Sequence, residues 1–288
     1  MKYLYYPGCS LEGTAKEYDL STRAFLTAAG IEIQDLDGWT CCGATAAVAV
    51  SELLSLSLAA RNLALAEKIN GPADLLVPCS ACYLNLKKVE MIAESEPDKK
   101  AQINEILNED GLSYSGRVRV RHLLDVVSRD LGAAGIAERV IRPLSGLTVA
   151  PYYGCQCLRP YAVFDNPEEP VSMEPLIRAA GADVFSWSMG GRCCGASNMT
   201  TKPHVGIQLV GSILKAAKGA DVVVTVCPMC QMNLEAYQRH VSKEFDEDLR
   251  MTILYLPQLL GLALGLTDRE VRLDLNLAVT DSFRRKAA

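Results

Sequence analysis

The sequence predicts an α/β protein made of two pseudo-symmetric repeats. Each repeat is a small, mostly parallel sheet flanked by helices, with metal sites at the carboxyl ends of the strands. Three observations lead there. The cysteine blocks recur: YYPGC, TCCGAT and CSACYLNL in the first half, then YYGC, RCCGAS and CPMCQMNL in the second. Short apolar, β-rich runs lead into most of those blocks. Helical patterns separate the runs, as parallel pairing requires.

The repeat fixes the organisation. Cys9 and Cys155 are 146 residues apart, Cys41 and Cys193 are 152 apart, and Cys79 and Cys227 are 148 apart, as are Cys82 and Cys230. A Pro and a Gly interrupt the pattern between Arg142 and Gly146. The expected domains are therefore 1–144 and 145–288.

The elements follow in order. KYLYY reads as a strand into Cys9 and LTVAPYY as one into Cys155. IEIQDL precedes Cys41–Cys42, and ADVFSW precedes Cys193–Cys194. DLLVP ends at Cys79 and DVVVTV at Cys227. Ligands of open α/β sheets gather beyond the carboxyl ends of strands, so all the blocks fall on one sheet edge in each half. An Ala/Leu-rich helical stretch runs from after Cys42 to about Ile69. Helical patterns follow each CxxC, which places its thiols at a helix N-terminus, where free N–H groups favour thiolate. Gly43 and Gly195 permit a tight backbone beside a bulky ligand. Ala93–Gly116 reads as an exposed helix and loop, and the charged tail from Thr267 reads as peripheral. VRVRHLLDVV and MTILYLPQLL form a further apolar element in each half.

Composition excludes several classes. A chain of 288 residues with 49% hydrophobic and 22% charged residues is ordinarily globular. Lys plus Arg is 29 against 34 Asp plus Glu, so no basic face for nucleic acid is expected. No stretch reads as a membrane span: Thr40–Ala60 carries Ser51, Glu52 and Ser55, and Pro257 interrupts Ile253–Leu266. MKYLYYPGCS has no basic segment followed by an apolar stretch. The expected location is cytoplasmic, where many cysteines suggest metal or redox chemistry over disulfides.

Of the 11 cysteines, ten are repeated: Cys9, Cys41, Cys42, Cys79 and Cys82, then Cys155, Cys193, Cys194, Cys227 and Cys230. Zinc and a cubane iron–sulfur cluster each take about four ligands, so five thiols per repeat is one too many. Adjacent cysteines in extended chain point to opposite faces, which suits bridging separated metal atoms. The count favours a larger, non-cubane cluster, or a four-ligand cluster with a spare thiol. A zinc site stays open, at one or both sites. Cys157 has Leu11 at its matching position and reads as a non-ligand, although it could compete with Cys155. His122 and His240 read as helix residues without a catalytic role. His204 is a candidate proton donor to a leaving thiolate. Arg159 and Arg192 lie near candidate ligands and could bind an anionic substrate group, or be solvated.

The patterns C–x31–CC–x36–CxxC and C–x37–CC–x32–CxxC resemble the two CCG domains of the heterodisulfide reductase B-subunit family (HdrB). So do YYPGCSLEGTAKEYDLS, FDNPEEPVSMEPLIRAAGA and YLPQLLGLALGL. The likeness spans nearly the whole chain. The short second CC-to-CxxC gap implies a trimmed helix or loop, with no ligand lost. The resemblance implies two non-cubane 4Fe–4S clusters, each held by one quintet, facing each other across the pseudo-two-fold interface. It implies cleavage of a disulfide, such as that of coenzyme M and coenzyme B, to two thiols by one electron from each cluster. It also implies two partners from heterodisulfide reductase, the cubane iron–sulfur protein HdrC and the flavin protein HdrA. The rivals are an electron-transfer subunit of a CCG-type complex that cleaves no disulfide, and a zinc scaffold. Thioredoxin-type dithiols are disfavoured by the CC pairs.

Overall fold

The computed structural model describes residues 1–44, 46–69 and 74–287. It contains two four-stranded sheets, all parallel. The first comprises β1 (Lys2–Tyr5), β2 (Glu32–Asp35), β3 (Asp74–Val77) and β4 (Arg119–His122), in the order β2-β1-β3-β4. The second comprises β5 (Thr148–Tyr152), β6 (Asp183–Val184), β7 (Val222–Thr225) and β8 (Thr252–Tyr255), in the order β6-β5-β7-β8. The α/β duplication anticipated above is present. In both sheets the chain reverses its lateral direction between the first and third strands, the place where such sheets leave a crevice at their carboxyl ends.

Helix Ser80–Ser95 follows β3 and helix Pro228–Ala236 follows β7. The shortened second gap is visible as a helix of 14 residues, Pro203–Ala216, where the first half has 17, Glu52–Lys68.

Four local expectations need correction. The Ala/Leu stretch is two helices, Ala46–Val50 and Glu52–Lys68, because Ser51 adopts an extended backbone and its side chain accepts the Leu54 N–H at 3.3 Å. Ala93–Gly116 is only partly exposed: Ile103, Leu107, Leu112 and Tyr114 are buried. The tail is docked, with Val271, Leu273 and Phe283 buried. Thr280 N donates to Thr252 Oγ1 at 2.9 Å, and Asn276 Nδ2 donates to Ile253 O at 3.0 Å. The tail thereby covers the otherwise open edge at β8. Finally, His122 is the buried last residue of β4, not a helix residue.

The lobes exchange helices. Helix Leu256–Ala263, which follows β8, packs on helix Lys16–Ala28 of the first repeat. Helix Gly132–Ala137, beyond β4, packs on helix Glu174–Ala179 of the second. The amides of Ile141 and Arg142 both donate to Ala263 O. The last residue of each fourth strand stacks on an aromatic ring of the opposite lobe. Tyr255 lies on Tyr18 (4.0 Å between centroids, 2° between planes), and His122 on Phe164 (6.0 Å, 5°). The Tyr18 hydroxyl is shared between Pro78 O and Val226 O, each at 3.1 Å. These are matching carbonyls of the two lobes, so Tyr18 sits on the pseudo-two-fold axis.

Two outcomes follow for stability. Tyr18→Phe removes a buried donor from both carbonyls and is expected to cost about 1–3 kcal/mol in urea denaturation. Burial holds the His122 pKa down at about 3, against 6.5 ordinarily. Below its ordinary range the unfolded chain binds a proton that the folded chain refuses. This contribution to stability is full above about pH 6.5 and is lost as pH falls toward 3. The urea midpoint should therefore fall more steeply across that window in the wild type than in His122→Phe.

Candidate metal centre

Each quintet is assembled from three strand ends. Cys9 lies in the short helix Gly8–Glu12 after β1, and Cys155 in the turn after β5. The CC pairs follow β2 and β6. Cys79 and Cys227 are the residues that precede the helices after β3 and β7, with Cys82 and Cys230 in the first turns. All ten repeated cysteines line a single cavity of about 410 Å³, together with Ser10, Ser80, Gln156, Ser197, Thr200 and a few apolar side chains. No disulfide links the cysteines. The sulfurs approach in pairs: Cys42 to Cys82 at 3.3 Å, Cys194 to Cys230 at 3.6 Å, and Cys41 to Cys9 at 3.8 Å. Among the described residues, no three His, Cys, Asp or Glu side chains converge as a single-ion site requires. The thiols surround a space instead, and soft sulfur donors around a space fit a polynuclear iron–sulfur group better than one zinc ion.

The scaffold holds the thiol-bearing loops identically in both lobes. Tyr6 donates its hydroxyl to Thr40 O at 2.8 Å, and Tyr152 donates to Arg192 O at 2.6 Å; both carbonyls directly precede a CC pair. Asn85 Nδ2 donates to Cys42 O at 3.0 Å, and Asn233 Nδ2 to Cys194 O at 2.7 Å. These four residues lie inside the repeated blocks, and their recurrence beside the cysteines was the available signal. Gly8 and Gly154 have φ of +73° and +71°, and a Cβ at either would stand 2.9 Å from a sulfur, Cys82 or Cys230 respectively.

Hydrogen bonding makes some thiols acidic. The Cys155 thiol, the Gly195 N–H and the Arg159 charge bring Cys193 down to about 6 despite desolvation. Cys227 falls to about 7 through the Cys230 thiol, the Cys230 and Met229 N–H groups and the Ser80 hydroxyl. Cys42 is lowered by Cys82 and the Ala44 N–H. Burial pushes Cys9 up to about 11. Each lobe thus offers thiolate character of the kind metal binding requires.

The remaining candidates lie elsewhere. Cys157 is buried outside the cavity wall, its thiol donating to Tyr153 O at 3.2 Å. His204, which the sequence leaves as either a proton donor at the pocket or a surface residue, is exposed in the first turn of helix Pro203–Ala216 and is not among the residues that line the cavity. Arg159 and Arg192 line a small pocket with Glu168 and Ser188. Arg159 is tied to Pro167 O at 2.6 Å, to Gly191 O and to Glu168 at 3.2 Å.

Fold and site define a duplicated α/β protein with a thiol-lined centre between its lobes. The cysteine-rich CCG domain matches residues 3–87 and 149–235, and the chain belongs to that family, which includes the B subunits of heterodisulfide reductases. It is 36% identical, over 96% of each chain, to the 8-methylmenaquinol:fumarate reductase membrane anchor subunit of Wolinella succinogenes. It is 30% identical to a protein of Archaeoglobus profundus named as like the heterodisulfide reductase B subunit, over 94% of this chain and 93% of that one. It is 29% identical to the B subunit of the ferredoxin/F(420)H(2)-dependent CoB-CoM heterodisulfide reductase of Methanosarcina acetivorans, over 97% and 94%. The crystal structure of a hypothetical protein from Helicobacter pylori has the same fold, with a TM-score of 0.79 and 17% identity. That likeness covers 97% of this chain, which spans about half (52%) of that one. The chain is a CCG-type redox subunit. Among the described residues, no helix is long and apolar enough to cross a membrane.

Gly8→Ala and Gly154→Ala each force a Cβ onto one sulfur at a backbone angle that L side chains avoid. Each should lower bound metal by about half, leaving the other lobe loaded, as read by metal analysis of the purified chain.

Proposed function

We propose that this chain is the catalytic iron–sulfur subunit of a complex that reduces a heterodisulfide to two thiols. Cys9, Cys41, Cys42, Cys79 and Cys82 would hold one non-cubane 4Fe–4S cluster; Cys155, Cys193, Cys194, Cys227 and Cys230 would hold the second. When bound, two one-electron carriers at one cavity supply the electron pair that an S–S bond needs. The observation that carries the reading is the shared cavity: both quintets line one space, so a small substrate can meet both centres at once. A simple relay does not need that.

The chain's own residues define what enters. Cys9, Cys41 and Cys193 are exposed, whereas Cys42, Cys79, Cys82, Cys194, Cys227 and Cys230 are buried. Access is therefore from the side of Cys9, Cys41 and Cys193, over a wall that carries the hydroxyls of Ser10, Ser197 and Thr200 and the amide of Gln156. The buried thiols keep water from the far side. Among the described lining residues, the only titratable side chains are thiols, so charged ends of a substrate would rest at the mouth or beyond it. The relatives named for the heterodisulfide reductase B subunit support this reading. With it come a cytoplasmic site and two partners, equivalents of the cubane iron–sulfur protein HdrC and the flavin protein HdrA. The Wolinella succinogenes relative favours the second reading, electron transfer within a CCG-type complex without disulfide cleavage.

Anaerobically purified protein should be brown and carry about eight irons per chain. Oxidation in the presence of coenzyme M or coenzyme B should perturb its EPR signal. Iron without any thiol response selects the electron-transfer reading. Zinc without iron overturns both.

A further inference from the structure

The duplication breaks down beside the first cysteine of each lobe. The backbone makes the same turn after both: Gly13 N donates to Cys9 O and Arg159 N donates to Cys155 O, each at 3.0 Å. Gly13 and Arg159 are therefore matching positions, and only the second carries a side chain.

That side chain reaches two further segments. Arg159 Nη1 donates to Pro167 O at 2.6 Å and to Glu168 Oε1 at 3.2 Å, and Nη2 donates to Gly191 O. Gly191 lies two residues before Cys193. The loop that offers Pro167 O is internally bonded: the Asp165 carboxylate accepts the Val171 and Ser172 N–H groups at 3.1 and 2.9 Å, and Asn166 Oδ1 accepts the Glu168 N–H at 2.9 Å. The planar fork of one guanidinium thus joins the turn of Cys155 to the loop that delivers Cys193, and ties both to a third loop.

The first lobe fastens its equivalent loop from elsewhere. Arg61 Nη1 donates to Gly38 O at 3.0 Å. Thr40 N donates to Asn62 Oδ1 at 2.8 Å, and Asn62 Nδ2 donates to Thr40 O at 3.0 Å. Both residues belong to helix Glu52–Lys68, which follows the CC pair, so they hold the loop of Cys41 without touching the turn of Cys9. Among the described residues, the side chains of the corresponding helix, Pro203–Ala216, bond only within that helix and to Glu247.

We propose that Arg159 is a positioning residue for the second lobe's centre: it yokes Cys155 to Cys193, a restraint that the first lobe does not give Cys9 and Cys41. A group that orients metal ligands from outside sets the geometry and the hold of the site. The inference rests on the two-cluster reading above.

The test uses the intact, anaerobically purified chain, with EPR and iron measured on the same samples. Gly8→Ala and Gly154→Ala, each unloading one lobe, assign the signals. Pro167 and Gly191 are half-buried, so water can replace the lost donors and Arg159→Gln should fold. It should change the line shape of the second-lobe signal alone. Iron of that lobe should pass to a chelator about tenfold faster, the size expected of one or two lost hydrogen bonds. Arg159→Lys keeps the charge, but a single nitrogen cannot span the acceptors, so the altered line shape should persist. Arg192→Gln removes a charge next to Cys193 from a guanidinium that has no hydrogen bond among the described residues, and should leave both signals as in the wild type. The proposal fails if Arg159→Gln alters neither lobe or both alike, if Arg159→Lys restores the wild-type signal, or if Arg192→Gln reproduces the effect. A wild type without iron instead overturns the cluster reading itself, and that result is distinguishable from all of these.

Discussion

The reciprocal exchange of helices between the lobes is the constraint on which the site depends. Each fourth strand hands its following helix to the opposite repeat, and its last residue stacks on that repeat's aromatic ring. The packing buries Leu256, Leu259 and Leu260 in the same core as Phe25 and Leu26. Separating the lobes would expose that surface, at about 25 cal/mol for each Å² of apolar area. The carboxyl edges of the two sheets are thereby held against one axis. Neither sheet alone could make a common cavity.

Within that frame, the ten sulfurs are fixed through the backbone. Hydroxyls of Tyr6 and Tyr152 and amides of Asn85 and Asn233 hold the carbonyls at the CC pairs. The loops bearing the most exposed thiols are thus held by groups from the sheet and the following helix. Preorganised ligands lose little entropy on binding a cofactor.

The chemistry of the centre is set by burial and by helix geometry. Cys227 stands where a helix begins, so unpaired N–H groups and the dipole favour negative sulfur there. Desolvation opposes this at Cys227, as it opposes the lowering of Cys42 and Cys193. Hydrogen bonds decide the outcome, lowering Cys193, Cys227 and Cys42 while their partners rise. Arg159, beside Cys193, adds charge from outside the cavity while its guanidinium is occupied by Pro167 and Gly191.

Sequence alone determined the duplication, the parallel α/β class and the ten thiols as a group, because these are properties of spacing and periodicity along one chain. Its errors have a common physical source. The break at Ser51 is a local competition between helix and side-chain cap, which Ala/Leu content does not reveal. The docking of Phe283 and the burial of His122 depend on which strand edge needs a cover and which ring lies opposite. Only tertiary structure decided that the fourth-strand helices change lobes, that both quintets line one cavity, and that Ser80 meets the other lobe's Val226. Those contacts join residues tens to hundreds of positions apart, and no periodic pattern encodes them.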